Sequence, residues 1–200
     1  METITRPALD LGVAVFTMPG QEECGDQHMV ASFAGGVLVA AIDGVGHGVE
    51  AARASRITQE ILQTSPAEAL GLLIQRCHEA LRGTRGVVMS LASFNHIKKI
   101  MTWVGVGNVQ GKLLAMDTLS QPRSLLLSVG TLGHQLAGVY PTTLPIKSGD
   151  TLILTTDGVR ENFDQFLNLK QAPQQLANDI MARSGRQTDD ALVLVGRFLE

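Results

Sequence analysis

Two short apolar runs in this chain each end in Asp-Gly: Val37-Leu-Val-Ala-Ala-Ile42 runs into Asp43-Gly44, and Thr151-Leu-Ile-Leu-Thr-Thr156 into Asp157-Gly158. Runs of this length, bounded by turn residues, read as buried strands, so each delivers a carboxylate to the rim of a sheet. Asp26 and the pair Asp189-Asp190 stand at the opposite ends of apolar runs, ahead of residues 28–34 and 191–196. Antiparallel pairing would gather all four acidic spots at one edge. For the early pair, Gly35-Gly36 predicts a two-residue hairpin turn, because glycine supplies the positive φ such turns require. That turn sets residue 28 opposite Asp43 and leaves Asp26 just beyond the open end, within reach of Asp43. The late pair meets only if the strands at Asp157 and Asp189 are antiparallel neighbours.

The remaining pattern predicts strands over 11–17, 28–34, 37–42, 87–94, 100–106, 112–116, 124–129, 151–156 and 191–198. Helices are expected over 49–63, 66–81 and 172–183. The second would start with Ser65 as N-cap, Pro66 at its first position and Glu68 in its first turn. Joined by a short turn, the first two should cross one sheet face together. Residues 130–145 read as a long irregular connection, a length often functional. Hairpin signals outnumber strand-helix-strand units, so the expected class is α+β: a mostly antiparallel β-sandwich flanked by helices, in one domain over residues 1–200.

With 44% hydrophobic and 18% charged residues the chain is an ordinary globule. A formal net charge of −3, with 16 basic residues and only Lys98-Lys99 adjacent, argues against a nucleic-acid partner. No apolar run approaches the roughly 20 residues that span a bilayer, so a cytoplasmic protein off the membrane is expected. Cys24 and Cys77 have no metal or disulfide spacing, and no CxxxxxR loop accompanies Cys24.

Clustered carboxylates repel unless a cation sits among them, and oxygen donors without a His/Cys cluster suit Mg²⁺ or Mn²⁺. The set Cys24-Gly-Asp-Gln27, Ile42-Asp-Gly-Val-Gly-His-Gly48, Gly105-Val-Gly-Asn-Val109, Thr155-Thr-Asp-Gly-Val159 and Thr188-Asp-Asp-Ala-Leu-Val-Leu194 resembles the metal-dependent serine/threonine protein phosphatases, in the bacterial branch of SpoIIE and RsbX. The motifs stand in family order. The resemblance implies an αββα four-layer sandwich with two Mn²⁺ or Mg²⁺ ions in a cleft at one end. By matching motif, Asp43 would bridge both ions, Gly44 would offer one a backbone carbonyl, and Asp157 and Asp189 would complete the other. Asp26 matches an early acidic position that acts directly or through water, and Asp190 stands where relatives carry Asp or Asn. Two ions roughly 3.5 to 4 Å apart activate water for in-line displacement, so no covalent nucleophile is required.

His47, in Gly46-His-Gly48, could donate a proton to the leaving serine oxygen or orient the attacking water; the plainer alternative is that it caps the following helix or closes the loop. His134 is a candidate to line the cleft, while Asn108 is expected to support the site from a turn. Relatives from higher organisms hold the phosphate with an N-terminal arginine, a task that Arg6 is too weakly placed to take. Binding energy would then come from the protein partner. The motifs take up nearly the whole chain, which resembles the bare catalytic members of this branch, and that resemblance implies phosphorylated regulatory proteins, components of the stressosome, as partners; a monomer is expected. Two other readings stand beside it. One is a phosphatase-like module that binds a phosphorylated protein without turnover; the other is a general phosphoesterase, which would need basic residues converging on the cleft, and no basic run appears.

Overall fold

The computed structural model describes residues 8–116 and 122–199; Arg6 lies outside them. In chain order the elements are β1 (Leu9–Phe16), β2 (Asp26–Phe33), β3 (Gly36–Gly44), α1 (Val49–Thr64), α2 (Leu70–Ala80), β4 (Val87–Asn95), β5 (Ile100–Val106), β6 (Gln110–Leu114), β7 (Arg123–Ser124), β8 (Gly130–Thr131), β9 (Gln135–Leu136), β10 (Thr142–Pro145), β11 (Thr151–Thr155), α3 (Pro173–Ser184) and β12 (Ala191–Phe198). One sheet runs β10-β5-β4-β3-β2 and the other β1-β12-β11-β6-β7, with every pairing in them antiparallel.

Strand periodicity explains the layering. Along β3, Leu38, Ala40 and Ile42 pack into the core shared with α1 and α2, while Val37, Val39 and Ala41 pack between the sheets. Along β12, Leu192 and Leu194 face the inter-sheet core and Ala191, Val193 and Val195 face the core that holds Leu176, Ala177 and Ile180 of α3. Successive side chains point to opposite faces, and both faces of these central strands are covered. The result is the expected α+β sandwich of four layers, αββα.

Several local expectations are corrected. The β2–β3 hairpin turns at Ala34-Gly35, not Gly35-Gly36, so Asp26 itself lies opposite Asp43 and His28 opposite Ala41. Only Gly35 of the turn takes positive φ, +83°. Gly36 is already in the strand, where a Cβ would stand 2.3 Å from the Phe94 carbonyl oxygen. It is glycine for close packing rather than for the turn. Because the slip is two residues, no side chain changes face.

The second helix starts at Leu70, not 66. Ser65 instead ends α1, its Oγ accepting from Arg76 Nη1, and Glu68 pairs with Arg76 at 2.6 Å. Residues 66–69 form a turn closed by Glu68 N donating to the Ser65 carbonyl. The expected strand 124–129 is reduced to the two-residue β7, after which Leu125 and Leu127 pack on the inter-sheet core. The connection 130–145 is not irregular: it holds the β8–β9 hairpin, and β10 adds an edge to β5. Among the described residues no helix is long and apolar enough to cross a membrane.

Candidate metal centre

Strand parity aims the carboxylates. Asp43 shares its face with Val37, Val39 and Ala41, and Asp190 precedes β12 in phase with Leu192 and Leu194, so both point between the sheets. Asp26, across from Asp43, reaches the second sheet directly: the Thr156 hydroxyl donates to its Oδ2 at 2.6 Å. The backbone N–H of Leu192 donates to the same Thr156 oxygen at 2.8 Å. One threonine immediately after β11 thereby fastens β12 to the acidic end of the β2–β3 hairpin. Antiparallel pairing of β11 with β12 brings Asp157 and Asp189 to that edge, as the late pair required.

The electrostatics follow from this crowding. Burial first, then the charges of Asp26, Asp157, Asp189 and Asp190, push the Asp43 carboxyl up to about 9. Burial pushes Asp26 up to about 7; the Thr156 hydroxyl pulls it down, and Asp190, Asp157 and Asp189 push it up. Asp26 is only 3% exposed. No ion pair reaches any of the five aspartates among the described residues, so the like charges lack a cationic side chain. A rim of hard oxygen donors with that deficit fits a divalent cation. No three acidic, histidine or cysteine side chains among the described residues form a ready-made ligand shell; the carboxylates are gathered in range of one another rather than closed into a cage.

A family model described as Stage II sporulation protein E (SpoIIE) matches residues 34–199. The chain belongs to the SpoIIE family. It is a protein phosphatase by family and relatives. Phosphoserine phosphatase RsbX of Bacillus subtilis (strain 168) is 22% identical over 180 residues, 90% of this chain and 89% of RsbX. The crystal structure of RsbX in complex with magnesium superposes with a TM-score of 0.87 at 21% identity, covering 98% of each chain. A chain solved in work on the bacterial stressosome as a modular system adapted to control secondary messenger signaling is 29% identical, with a TM-score of 0.87 over 94% of this chain and 99% of that one.

Within this SpoIIE-family scaffold the individual aspartates are held differently. Asp190 is 3% exposed and both its oxygens accept backbone amides, Met18 N at 2.8 Å and Gly25 N at 2.7 Å. It fastens the loop between β1 and β2, leaving a cation only its remaining lone pairs. Asp189 accepts from the Asp190 amide at 2.9 Å, and Asp157 from Asn108 Nδ2 at 2.8 Å. Asn108 therefore does support the site from its turn. Gly158 is glycine because a Cβ there would stand 2.0 Å from the Asp190 carbonyl oxygen. Gly44 donates its N–H to the Gly25 carbonyl and packs against α1, where a Cβ would overlap the Ala51 carbonyl.

His47 is exposed on the loop between β3 and α1; the N-cap of α1 is Gly48, with no side-chain cap bond. Its carbonyl accepts from Arg85 Nη1 at 3.5 Å, and a Cβ on Gly46 would lie 2.7 Å from that same nitrogen. Arg85 thus lays a guanidinium over the loop that follows Asp43. His134 bonds the Arg85 carbonyl through Nε2 at 3.0 Å, pinning the β8–β9 hairpin to the start of β4. Burial raises the Cys24 thiol to about 12, which keeps it protonated and poorly nucleophilic.

Sequence reasoning missed Thr156 and Arg85. Thr156 reads as the last residue of an apolar run, and only the packing of two sheets gives its hydroxyl a role. Arg85 precedes β4 and is some forty positions from the loop it covers, so no local spacing signals it.

Proposed function

We propose that this phosphatase hydrolyses phosphoserine or phosphothreonine in stressosome regulatory proteins, as a negative-feedback step, using two divalent cations, Mn²⁺ or Mg²⁺. The observation that carries the proposal is the meeting of Asp26, Asp43, Asp157 and Asp189 at one edge without a cationic partner. Asp43, facing Asp26 and in electrostatic range of Asp157 and Asp189, is suited to serve both ions, with the Gly44 carbonyl, Asp157 and Asp189 completing the set. Asp26 acts at the same edge, and Asp190 contributes chiefly by holding the β1–β2 loop. When bound, the pair of ions lowers the pKa of water and offsets charge developing on the phosphoryl oxygens.

The chain's own residues do the rest. Thr156 and Asn108 orient the carboxylates of Asp26 and Asp157, the kind of supporting bond that fixes ligand direction. Arg85 offers positive charge to the substrate phosphate from above the 44–48 loop, the service that an N-terminal arginine gives in relatives from higher organisms. His47, exposed on that loop, takes the role of giving a proton to the departing serine oxygen. The substrate class is supported by the likeness to RsbX, a phosphoserine phosphatase, and to a chain from stressosome work.

Phosphate release from a folded stressosome protein phosphorylated on serine, with and without chelator, tests the reading. Chelation should abolish release and added Mn²⁺ should restore it. Turnover that survives exhaustive chelation would overturn the two-ion mechanism, and metal-dependent binding without release would establish the binding-module alternative.

A further inference from the structure

A basic cleft adjoins the carboxylate rim and has no part in the chemistry above. Its main cavity, about 510 Å³, is lined by Arg160, Glu161, Asn162, Arg186, Gln187 and Thr188. A second cavity of about 260 Å³ shares Arg160 and Asn162 and adds Phe166, Arg183 and Ser184. Three exposed guanidiniums from two stretches of chain, Arg160 on one and Arg183 and Arg186 on the other, therefore converge, with Glu161 as the one carboxylate in the lining. None of the three makes an ion pair among the described residues.

The cleft is built onto the catalytic edge. Arg160 N donates to the Ser184 carbonyl at 2.9 Å and Arg186 N to the Gly158 carbonyl at 2.6 Å. These bonds zip the segment after Asp157 to the segment leading into Asp189. Arg183 lies in the last turn of α3, where a cation complements the helix dipole. That accounts for one arginine, but Arg160 and Arg186 lie outside the helix.

Resting on the phosphatase reading, we propose that this cleft binds an acidic stretch of the phosphoprotein substrate flanking the phosphorylated residue. Its size favours a peptide segment, since the two joined cavities extend well beyond what one phosphate would occupy. Its charge selects acidic side chains in a protein whose net charge is −3. Phe166, 68% exposed, offers an apolar wall beside the arginines. With cation-binding carboxylates on one side and arginines on the other, a substrate is oriented by placing its phosphate on the rim and its acidic flank in the cleft.

The test compares the full chain with an Arg160→Glu/Arg186→Glu double variant in Mn²⁺. KM for a phosphoprotein with an acidic flank should rise about tenfold or more, while turnover of p-nitrophenyl phosphate stays within about twofold. The wild type should lose a similar factor when the substrate's flanking Asp and Glu are changed to Asn and Gln, and the variant should be indifferent to that change. Arg160→Lys/Arg186→Lys should recover most of the affinity, separating charge from folding damage.

Fluorescence anisotropy of a labelled, unphosphorylated Glu-rich peptide gives a readout independent of catalysis: the wild type should bind it salt-sensitively and the double variant about tenfold more weakly. Absence of salt-sensitive binding, or equal kinetic loss on the protein and the small ester, would overturn the proposal. Failure of the phosphatase reading would show separately, as no chelator-sensitive release from either substrate.

Discussion

The two carboxylate pairs reach one edge from different sheets and under different constraint. Asp26 and Asp43 face each other across a hairpin, and burial with like charge pushes both carboxyls up. Asp157 is exposed and held by Asn108, and Asp189 is half-buried and held by the next residue's amide. The hairpin pair bears the greater electrostatic cost of a cation-free site, so a cation relieves more there. The loop pair is the more exposed and is held by one hydrogen bond to each carboxylate. A buried half and a more open half teach that two sheets can divide the electrostatic load of one site unequally.

The largest expected break of this contrast is Asp43→Asn. It should lower kcat at least about a thousandfold and remove tight Mn²⁺ binding in calorimetric titration, whereas Asp157→Asn should leave measurable, weakened binding. Equal losses at both positions would erase the distinction between the halves.

Next in size is Thr156→Val, which removes the donor to Asp26 and the acceptor for the Leu192 amide at once. Stability should fall by about 1–3 kcal/mol and Mn²⁺ affinity by roughly ten- to a hundredfold, measured by denaturant melts and titration. An unchanged affinity would mean that Asp26 needs no alignment.

The smallest effect is a shift in melting temperature without metal. In chelator at pH 8, Asp43→Asn should melt higher than wild type, by about 2–4 °C for each kcal/mol of repulsion relieved, and by more than Asp157→Asn does. The pH dependence has a definite sign. Folded carboxyls raised to about 7 and about 9 hold protons that the unfolded chain has already lost. Their stabilising contribution is full below the ordinary carboxylate pKa near 4 and is lost as pH rises through about 7 and then about 9. Cation-free melting temperature should fall over that window and flatten when Mn²⁺ is added; a cation-free melting temperature that rises between pH 5 and 9 would refute the repulsion.

Much of the site was legible because strand ends are local signals. Val37 to Asp43 and Thr151 to Asp157 announce both strand and carboxylate, whereas the sequence leaves the pairing of β11 with β12 open and the structure supplies it. What escaped depends on contacts between distant elements. The hairpin slipped by two residues because Gly36 answers to the Phe94 carbonyl on β4, not to its own turn. The missed start of α2 has a similar origin: Ser65 and Glu68 serve Arg76 across a turn instead of capping a helix. β10 was lost in an apparently irregular connection, since its partner β5 lies some forty residues earlier. The same blindness hid the arginine cleft. Arg160, Arg183 and Arg186 form no basic run, and only the bridge between Val159 and Gly185 brings their stretches together.

β12 sits between β1 and β11, pairing Leu9 with Phe198 at one flank and Thr151 with Arg197 at the other. A nascent chain emerging from the ribosome therefore carries β1 unpartnered until residues 191–198 follow, and loop closure on that scale is slow. The helix-backed β2–β3–β4 layer needs no such wait. The acidic edge is thus completed late in biosynthesis: Asp26 and Asp43 can be assembled early, but the strand that brings Asp189 to them is also the one that closes the second sheet.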